Sequence, residues 1–181
     1  IMDQAPIRRG KPTVYKKWNT NIAILAGDTM MPLSYEYILK LDDDIIKQTL
    51  LVFNQMAKEV CEGQQFDLNF ETMDDVSIDQ YIDMIRLKTA VLIGASLKIG
   101  GIVAHAPASD LENLYSFGIN IGLAFQLRDD LLDVFGDVKK FGKQTGGDII
   151  TNKKTYLYLK AYELADSTQR KQLDGFFGGD N

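Results

Sequence analysis

The reading of this chain turns on the stretch Phe125-Gln126-Leu127-Arg128-Asp129-Asp130-Leu131-Leu132-Asp133. Placed on a helix at about 100° per residue, Gln126, Asp129, Asp130 and Asp133 fall within one stripe, and Gly122 and Gly118 lie on it one and two turns further back. Carboxylates gathered this way repel one another, and each costs free energy to desolvate. A multivalent cation offsets that cost. Carboxylates at i and i+4 suit Mg²⁺, which takes oxygen ligands, keeps several waters and bridges to phosphate. The competing reading is a solvated acidic face near a helix end. Two glycines and a glutamine on the same stripe would leave an open groove above the aspartates, and a loop with spaced lysines follows; both favour the cation site.

Working outward, Pro107 with Ser109-x-x-Glu112 forms a capping-box pattern that opens this helix, and Gly136 closes it. Residues 137–152 read as a loop carrying Gly142, Gly146 and Gly147 and Lys139, Lys140 and Lys143. A last helix begins near Lys153–Thr155 and reaches about Ala165. Upstream, residues 3–17 read as a basic loop, and a helix runs from about Asn19 to Lys40 with Pro32 as a kink or break inside it. Asp42-Asp43-Asp44 opens the next helix, where acidic residues favour the N-terminus. Phe53, Ala57 and Val60 share one face of that helix, and the stripe continues into Gln64 and Asp67. After a loop near Thr72–Val76, Ser77-x-x-Gln80 is a capping box for a third helix, whose apolar stripe is Tyr81, Ile85, Leu92 and Ala95 with Lys88 inside it. Gly94, Gly100 and Gly101 either allow close helix packing or mark a break near residue 100. No strand pattern competes, so the fold class is all-α.

Three helices thus place polar groups on otherwise apolar stripes: Gln64 and Asp67, then Lys88, then Gln126 with the aspartates. A charge at a core-facing position needs a partner. Lys88 alone would read as a snorkelling side chain or a structural ion pair. Together the three point to a shared polar site at one end of a helical bundle.

Composition sets the frame. The 181 residues suffice for one domain with a sizeable core, and 45% apolar with 25% charged content is that of an ordinary globular protein. Lys+Arg 20 against Asp+Glu 25 gives a net charge of -5, which argues against a general nucleic-acid binder. One cysteine, Cys61, excludes an internal disulfide and fits a reducing compartment. No apolar run is long enough to span a bilayer and no signal peptide is visible, so the expected place is the cytoplasm. The opening Ile1-Met2-Asp3 and the closing Gly178-Gly179-Asp180-Asn181 suggest the middle of a longer protein.

With these residues in view, the chain resembles the trans-isoprenyl diphosphate synthases, the family of farnesyl and geranylgeranyl diphosphate synthases. Phe125 to Asp133 matches the family's second aspartate-rich motif. Ile1-Met2-Asp3 looks like the tail of the first Asp-Asp-x-x-Asp motif and is followed, as in the family, by Arg8-Arg9-Gly10-Lys11-Pro12-Thr13. Gly63-Gln64 with Asp67, Lys88-Thr89, and Gly142-Lys143 through Asp148 to Asn152-Lys153 complete the pattern in order, so the resemblance covers essentially the whole chain.

The resemblance implies a large antiparallel helical bundle, seen here without its N- and C-terminal helices, that joins an allylic diphosphate to isopentenyl diphosphate and releases pyrophosphate. By the same likeness, Asp3, Asp129, Asp130 and Asp133 hold Mg²⁺, three ions when substrate is bound. Arg8, Lys88, Lys143 and Lys153 contact the allylic diphosphate, and Arg9 faces isopentenyl diphosphate. The side-chain oxygens of Thr89 and Gln126 face the allylic cation, with Asp67 and Asp148 one layer behind. Short-chain products (C15 to C20) and a homodimer are also implied. The first motif's leading aspartates are expected in the full polypeptide, ahead of Ile1. Gly118 and Gly122 fit either a groove for the growing apolar chain or close helix packing. Rival readings are a catalytically silent partner subunit and a class I terpene cyclase or head-to-head synthase. The Arg8-Arg9 pair and Lys143 favour a site for two separate diphosphates instead. A di-iron carboxylate bundle needs Glu-x-x-His pairs, which the single His105 cannot supply.

Overall fold

In a computed structural model, residues 1–2, 5–136, 147–150 and 153–177 are described. The chain divides into two compact units, Ile1–Leu50 and Leu51–Asn181.

The first unit opens with a ribbon that the sequence reading missed. Ile7–Arg8 (β1) pairs antiparallel with Lys11–Pro12 (β2), Ile7 opposite Pro12 and Arg8 opposite Lys11. Arg9 and Gly10 make the turn with φ +52° and +72°. Two positive φ values belong to the tight hairpin turn whose twist matches paired strands, usually signalled by Asn-Gly, and Arg9 stands where Asn is looked for. Thr13 closes the base, its N–H donating to Pro6 O at 3.0 Å and its hydroxyl to Ala5 O at 2.9 Å. A single helical turn, Val14–Lys17 (α1), follows.

Helix α2 (Thr20–Ile38) is capped by the Asn19 side chain, which accepts from the Ile22 N–H at 2.9 Å. It runs through Pro32, so of the expected kink or break, the break is not there. Proline forfeits one ladder bond and crowds the carbonyl four residues earlier, and the helix here continues past it. Helix α3 (Asp43–Phe70) begins in this unit with Asp43 and Asp44 in its first turn, as read from the sequence, and continues into the second.

In the second unit, Ser77 and Gln80 form the expected capping box at the start of α4 (Ile78–Ile85), whose Tyr81, Met84 and Ile85 are buried. A π-helical turn, Arg86–Ala90, joins α4 to α5 (Val91–Val103). That turn inserts a residue into the 3.6-residue repeat, so a stripe extrapolated from α4 runs out of phase. Leu92, expected in the core, is 50% exposed, while Ala90, Val91 and Ala95 are buried. No break occurs near residue 100.

Helix α6 (Ala108–Phe135) returns antiparallel along α5. The expected Ser109–Glu112 box is absent: Pro107 is the N-cap, with no side-chain cap, and Glu112 instead accepts from Lys98 Nζ at 2.6 Å. Gly136 ends α6, as expected. A single helical turn, Gly147–Ile150 (α7), lies inside the stretch read as loop. Thr155 caps α8 (Tyr156–Leu164), close to the expected bounds. Helix α9 (Ser167–Phe177) was not foreseen, although Asp166 and Gln169 box its start: Gln169 N–H donates to Asp166 Oδ1, and Asp166 N–H to Gln169 Oε1, both at 2.9 Å. The core gathers Phe70, Val76, Tyr81, Met84, Ile85 and Leu159, with Leu123 and Leu127 of α6 packed on it. The fold is all-α, as the sequence reading has it.

Candidate active site

The α5–α6 seam is built from backbone. A Cβ on Gly118 would stand 2.6 Å from Gly94 Cα, and one on Gly122 would stand 2.6 Å from Ala90 Cβ. Both glycines are buried. They serve close packing, so the open groove expected above the aspartates is not formed at these two positions. Their effect is to hold the π turn tightly against α6. On its other side, Gly63 of α3 lies against the turn, where a Cβ would come within 2.7 Å of Leu87 C and Lys88 Cα. Lys88 and Thr89 sit on this clamped turn, and π turns recur where a backbone must aim side chains at a site.

Thr89 reaches α6. Its Oγ1 donates to Gln126 Oε1 at 3.1 Å, and Gln126 Nε2 donates to Asp130 Oδ1 at 3.0 Å. The other Asp130 oxygen accepts from the Tyr81 hydroxyl, a buried bond. Asp130 is 4% exposed. Burial pushes its carboxyl upward, while the Tyr81 and Gln126 hydrogen bonds and the Tyr156 backbone N–H pull the other way. Burial also raises the Tyr81 phenol, followed by the Asp130 charge and hydrogen bond.

Lys88 reaches α3. Its Nζ meets Asp67 Oδ2 at 2.6 Å, and Lys153 Nζ stands 3.8 Å from the same oxygen. Asp67, 8% exposed, is thus a buried carboxylate with two cations. The ion-pair reading of Lys88 is the one observed. On α3, one turn before Asp67, Gln64 Nε2 is buried with no hydrogen-bond partner among the described residues. Further along α6, Asp133 Oδ2 accepts the Asp148 N–H at 3.1 Å. Burial first, then the Asp133 charge, push the Asp148 carboxyl up to about 6; Lys153 opposes this, and Asp130 and Asp129 add to it.

The structure therefore brings together Lys88, Thr89, Gln126 and Asp130, ties Lys88 and Lys153 to Asp67, and joins Asp133 to Asp148. Asp129 is half-buried on α6. Arg8 and Arg9 sit on the exposed hairpin of the first unit. Asp3 and Lys143 lie outside the described residues. Among the described residues, no three acidic, histidine or cysteine side chains converge as a ready-made cation cage, and Asp130 is turned inward. Sequence reasoning missed Tyr81 as a site residue. The available signal was a tyrosine inside an apolar stripe, since a buried phenol needs a partner.

A family model for polyprenyl synthetases matches residues 1–181. Over 179 residues the chain is 39% identical to a short chain isoprenyl diphosphate synthase of Methanothermobacter thermautotrophicus, covering 98% of this chain and 55% of that protein. Its backbone is similar to the crystal structure of a geranylgeranyl pyrophosphate synthase, with TM-score 0.93 at 50% identity, covering 98% of this chain and 54% of that one. Geranylgeranyl pyrophosphate synthetase from Pyrococcus horikoshii gives TM-score 0.91 at 40% identity, covering 99% of this chain and 55% of that one. The chain spans about half the length of the relatives it matches. Among the described residues, no helix is long and apolar enough to cross a membrane. With a match running from the first residue to the last, and with the fold of its relatives, the chain belongs to the polyprenyl synthetase family.

Proposed function

We propose that the protein containing this chain is a trans-prenyltransferase that condenses an allylic diphosphate with isopentenyl diphosphate and releases pyrophosphate. The observation that carries the reading is the junction of Lys88 and Thr89 with Gln126 and the α6 aspartates. Fixed cations and a row of carboxylates stand beside two side-chain oxygens linked at 3.1 Å. That set matches the charges of the reaction: a diphosphate leaves as a polyanion, and a carbocation stays behind.

In this reading Lys88 and Lys153, both anchored on Asp67, hold the allylic diphosphate and oppose the charge that develops as its C–O bond breaks. Thr89 and Gln126 direct oxygen lone pairs at the allylic cation. Attack by the isopentenyl double bond forms the new C–C bond, and loss of one proton restores a double bond. By family likeness, Arg8 and Lys143 add charge toward the allylic diphosphate, Arg9 binds isopentenyl diphosphate, and Asp3 joins the metal ligands.

The donor set fits Mg²⁺. It is made of hard carboxylate oxygens, and the mutual repulsion of Asp133, Asp130 and Asp129 on Asp148 is of the kind that a cation relieves. Asp129 and Asp133 would hold it, with Asp130 bracing the helix between them and Asp148 one layer behind. When bound, Mg²⁺ supplies charge neutralisation at the departing pyrophosphate. The names of the relatives favour short-chain products, C15 to C20. Ile24, Leu25, Met30 and Leu33 of α2, exposed by 45–67%, suit a homodimer, and the free, exposed Cys61 suits a reducing cytoplasm.

The test is the full-length protein with Mg²⁺, isopentenyl diphosphate and an allylic diphosphate, with prenyl products read by chromatography. Turnover that EDTA abolishes and that falls at least a hundredfold in Asp129→Ala supports the reading, on the scale of about 3 kcal/mol of lost transition-state stabilisation. Absence of turnover with every allylic primer would overturn it.

A further inference from the structure

The four residues Tyr81, Asp130, Gln126 and Thr89 form one directed hydrogen-bond chain across three segments of the fold. Direction follows from donor and acceptor chemistry. A carboxylate only accepts, so the Gln126 group facing Asp130 at 3.0 Å is the amide NH₂. The amide carbonyl oxygen is then turned to Thr89, whose hydroxyl donates to it at 3.1 Å. With its proton spent on Gln126, Thr89 Oγ1 presents lone pairs on its other side. Reversing the amide would place an NH₂ where the cation forms and would turn the Thr89 proton toward it.

What forbids the reversal is Asp130, and what holds Asp130 is the Tyr81 hydroxyl together with the Tyr156 backbone N–H. The phenol is 2% exposed, its ring is packed in the core with Met84, Ile85 and Leu159, and its hydroxyl takes the carboxylate oxygen that Gln126 does not use. A carboxylate gripped at both oxygens cannot rotate to release Gln126. We infer that Tyr81 is a positioning residue for the condensation: through Asp130 it fixes the Gln126 amide so that oxygens, and not N–H groups, face the allylic cation. The inference rests on the reading of Thr89 and Gln126 given above, and adds that Asp130 serves orientation.

The experiment uses the full-length protein and two inhibitors, an allylic diphosphate analogue with an ammonium at the cationic carbon and a neutral, non-ionising thiolodiphosphate. Tyr81→Phe keeps the ring and removes the proton. Expected are a fall in kcat of about tenfold with the allylic KM within about twofold, and about tenfold weaker ammonium-analogue binding with the neutral analogue unchanged, the scale of one hydrogen bond to a charge. In a Gln126→Ala background, Tyr81→Phe should cost no further ammonium-analogue affinity, as coupled residues require. Should Tyr81→Phe not fold, Asp130→Asn carries the same readout. Equal weakening of both analogues, or losses that add to those of Gln126→Ala, would overturn the role of Tyr81 alone. A wild-type enzyme that turns over nothing, or that binds the two analogues alike, would overturn the reading beneath it.

Discussion

Gly63 on α3 lies directly beneath the Lys88 backbone, close enough that a methyl group on it would stand 2.7 Å from Lys88 Cα. The neighbour it would strike is main chain, which cannot swing aside as a side chain can. Gly63→Ala should push the π turn off α3 and destabilise the protein by about 1–3 kcal/mol, the usual cost of overpacking. Turnover should fall further than stability, because Lys88 and Thr89 move with the turn. A wild-type melting temperature with wild-type kcat would show that the turn has slack.

Asp67 supports two cations, and losing it should hurt more than losing either of them. Asp67→Ala strips Lys88 of its carboxylate and takes a neighbouring anion from Lys153, whereas Lys88→Met leaves Asp67 its second cation at 3.8 Å. Urea denaturation should place Asp67→Ala about 2–4 kcal/mol below wild type and below Lys88→Met. The reverse ranking would mean that the buried pair is a net cost to the fold.

Gly118 and Gly122 separate two accounts of the α5–α6 seam. If they pack backbone on backbone, Gly118→Ala and Gly122→Ala lower the melting temperature and leave the product distribution of the residual activity unchanged. A shortened prenyl product from a fully stable variant would instead restore the groove that the sequence suggested.

Asp148 predicts a pH dependence. Its carboxyl, ordinarily near 3.8, is pushed up to about 6 in the fold. A raised acid favours the folded state while protonated, so this contribution is present below about pH 4 and is lost as pH rises through 6. Asp148→Asn cannot ionise. In metal-free buffer it should match wild type near pH 4 and exceed it by about 1–2 kcal/mol at pH 7.5, with allowance for partial exposure. Millimolar Mg²⁺ should shrink the difference. A gap that does not change with pH would remove Asp148 from the charge cluster.

How far the sequence carried depended on how local each signal was. The Ser77–Gln80 box and the Asn19 and Thr155 helix starts are set within four residues, and all three were placed where they occur. Ser109-x-x-Glu112 has the same spelling as a capping box and failed, because Lys98, fourteen residues away, claims Glu112. The hairpin turned on Arg9 adopting a positive φ, which its residue type does not announce. Beyond Lys88 the stripe holds at Ala95 and fails at Leu92, because a π turn is a tertiary accommodation and splits what reads as one helix into two segments of different phase. The linkage of Lys88 to Asp67 and of Thr89 to Gln126 joins residues 21 and 37 positions apart; polar groups on three apolar stripes pointed to one shared site, and the family likeness added the role of Thr89. Tyr81, drawn in by an acceptor 49 positions away, had no local mark beyond its hydroxyl.

The glycine seam has a mechanical consequence. Side chains absorb small displacements by changing rotamer, and bare backbone has no such reserve. With Gly94 set against Gly118, and Ala90 against Gly122, sliding or rolling of α5 on α6 meets resistance at once. That stiffness runs to the end of the seam, where Thr89 and Gln126 face each other. The spacing of their two oxygens is therefore a constant of the scaffold, and any opening or tightening around a substrate has to come from segments not fastened to this pair of helices.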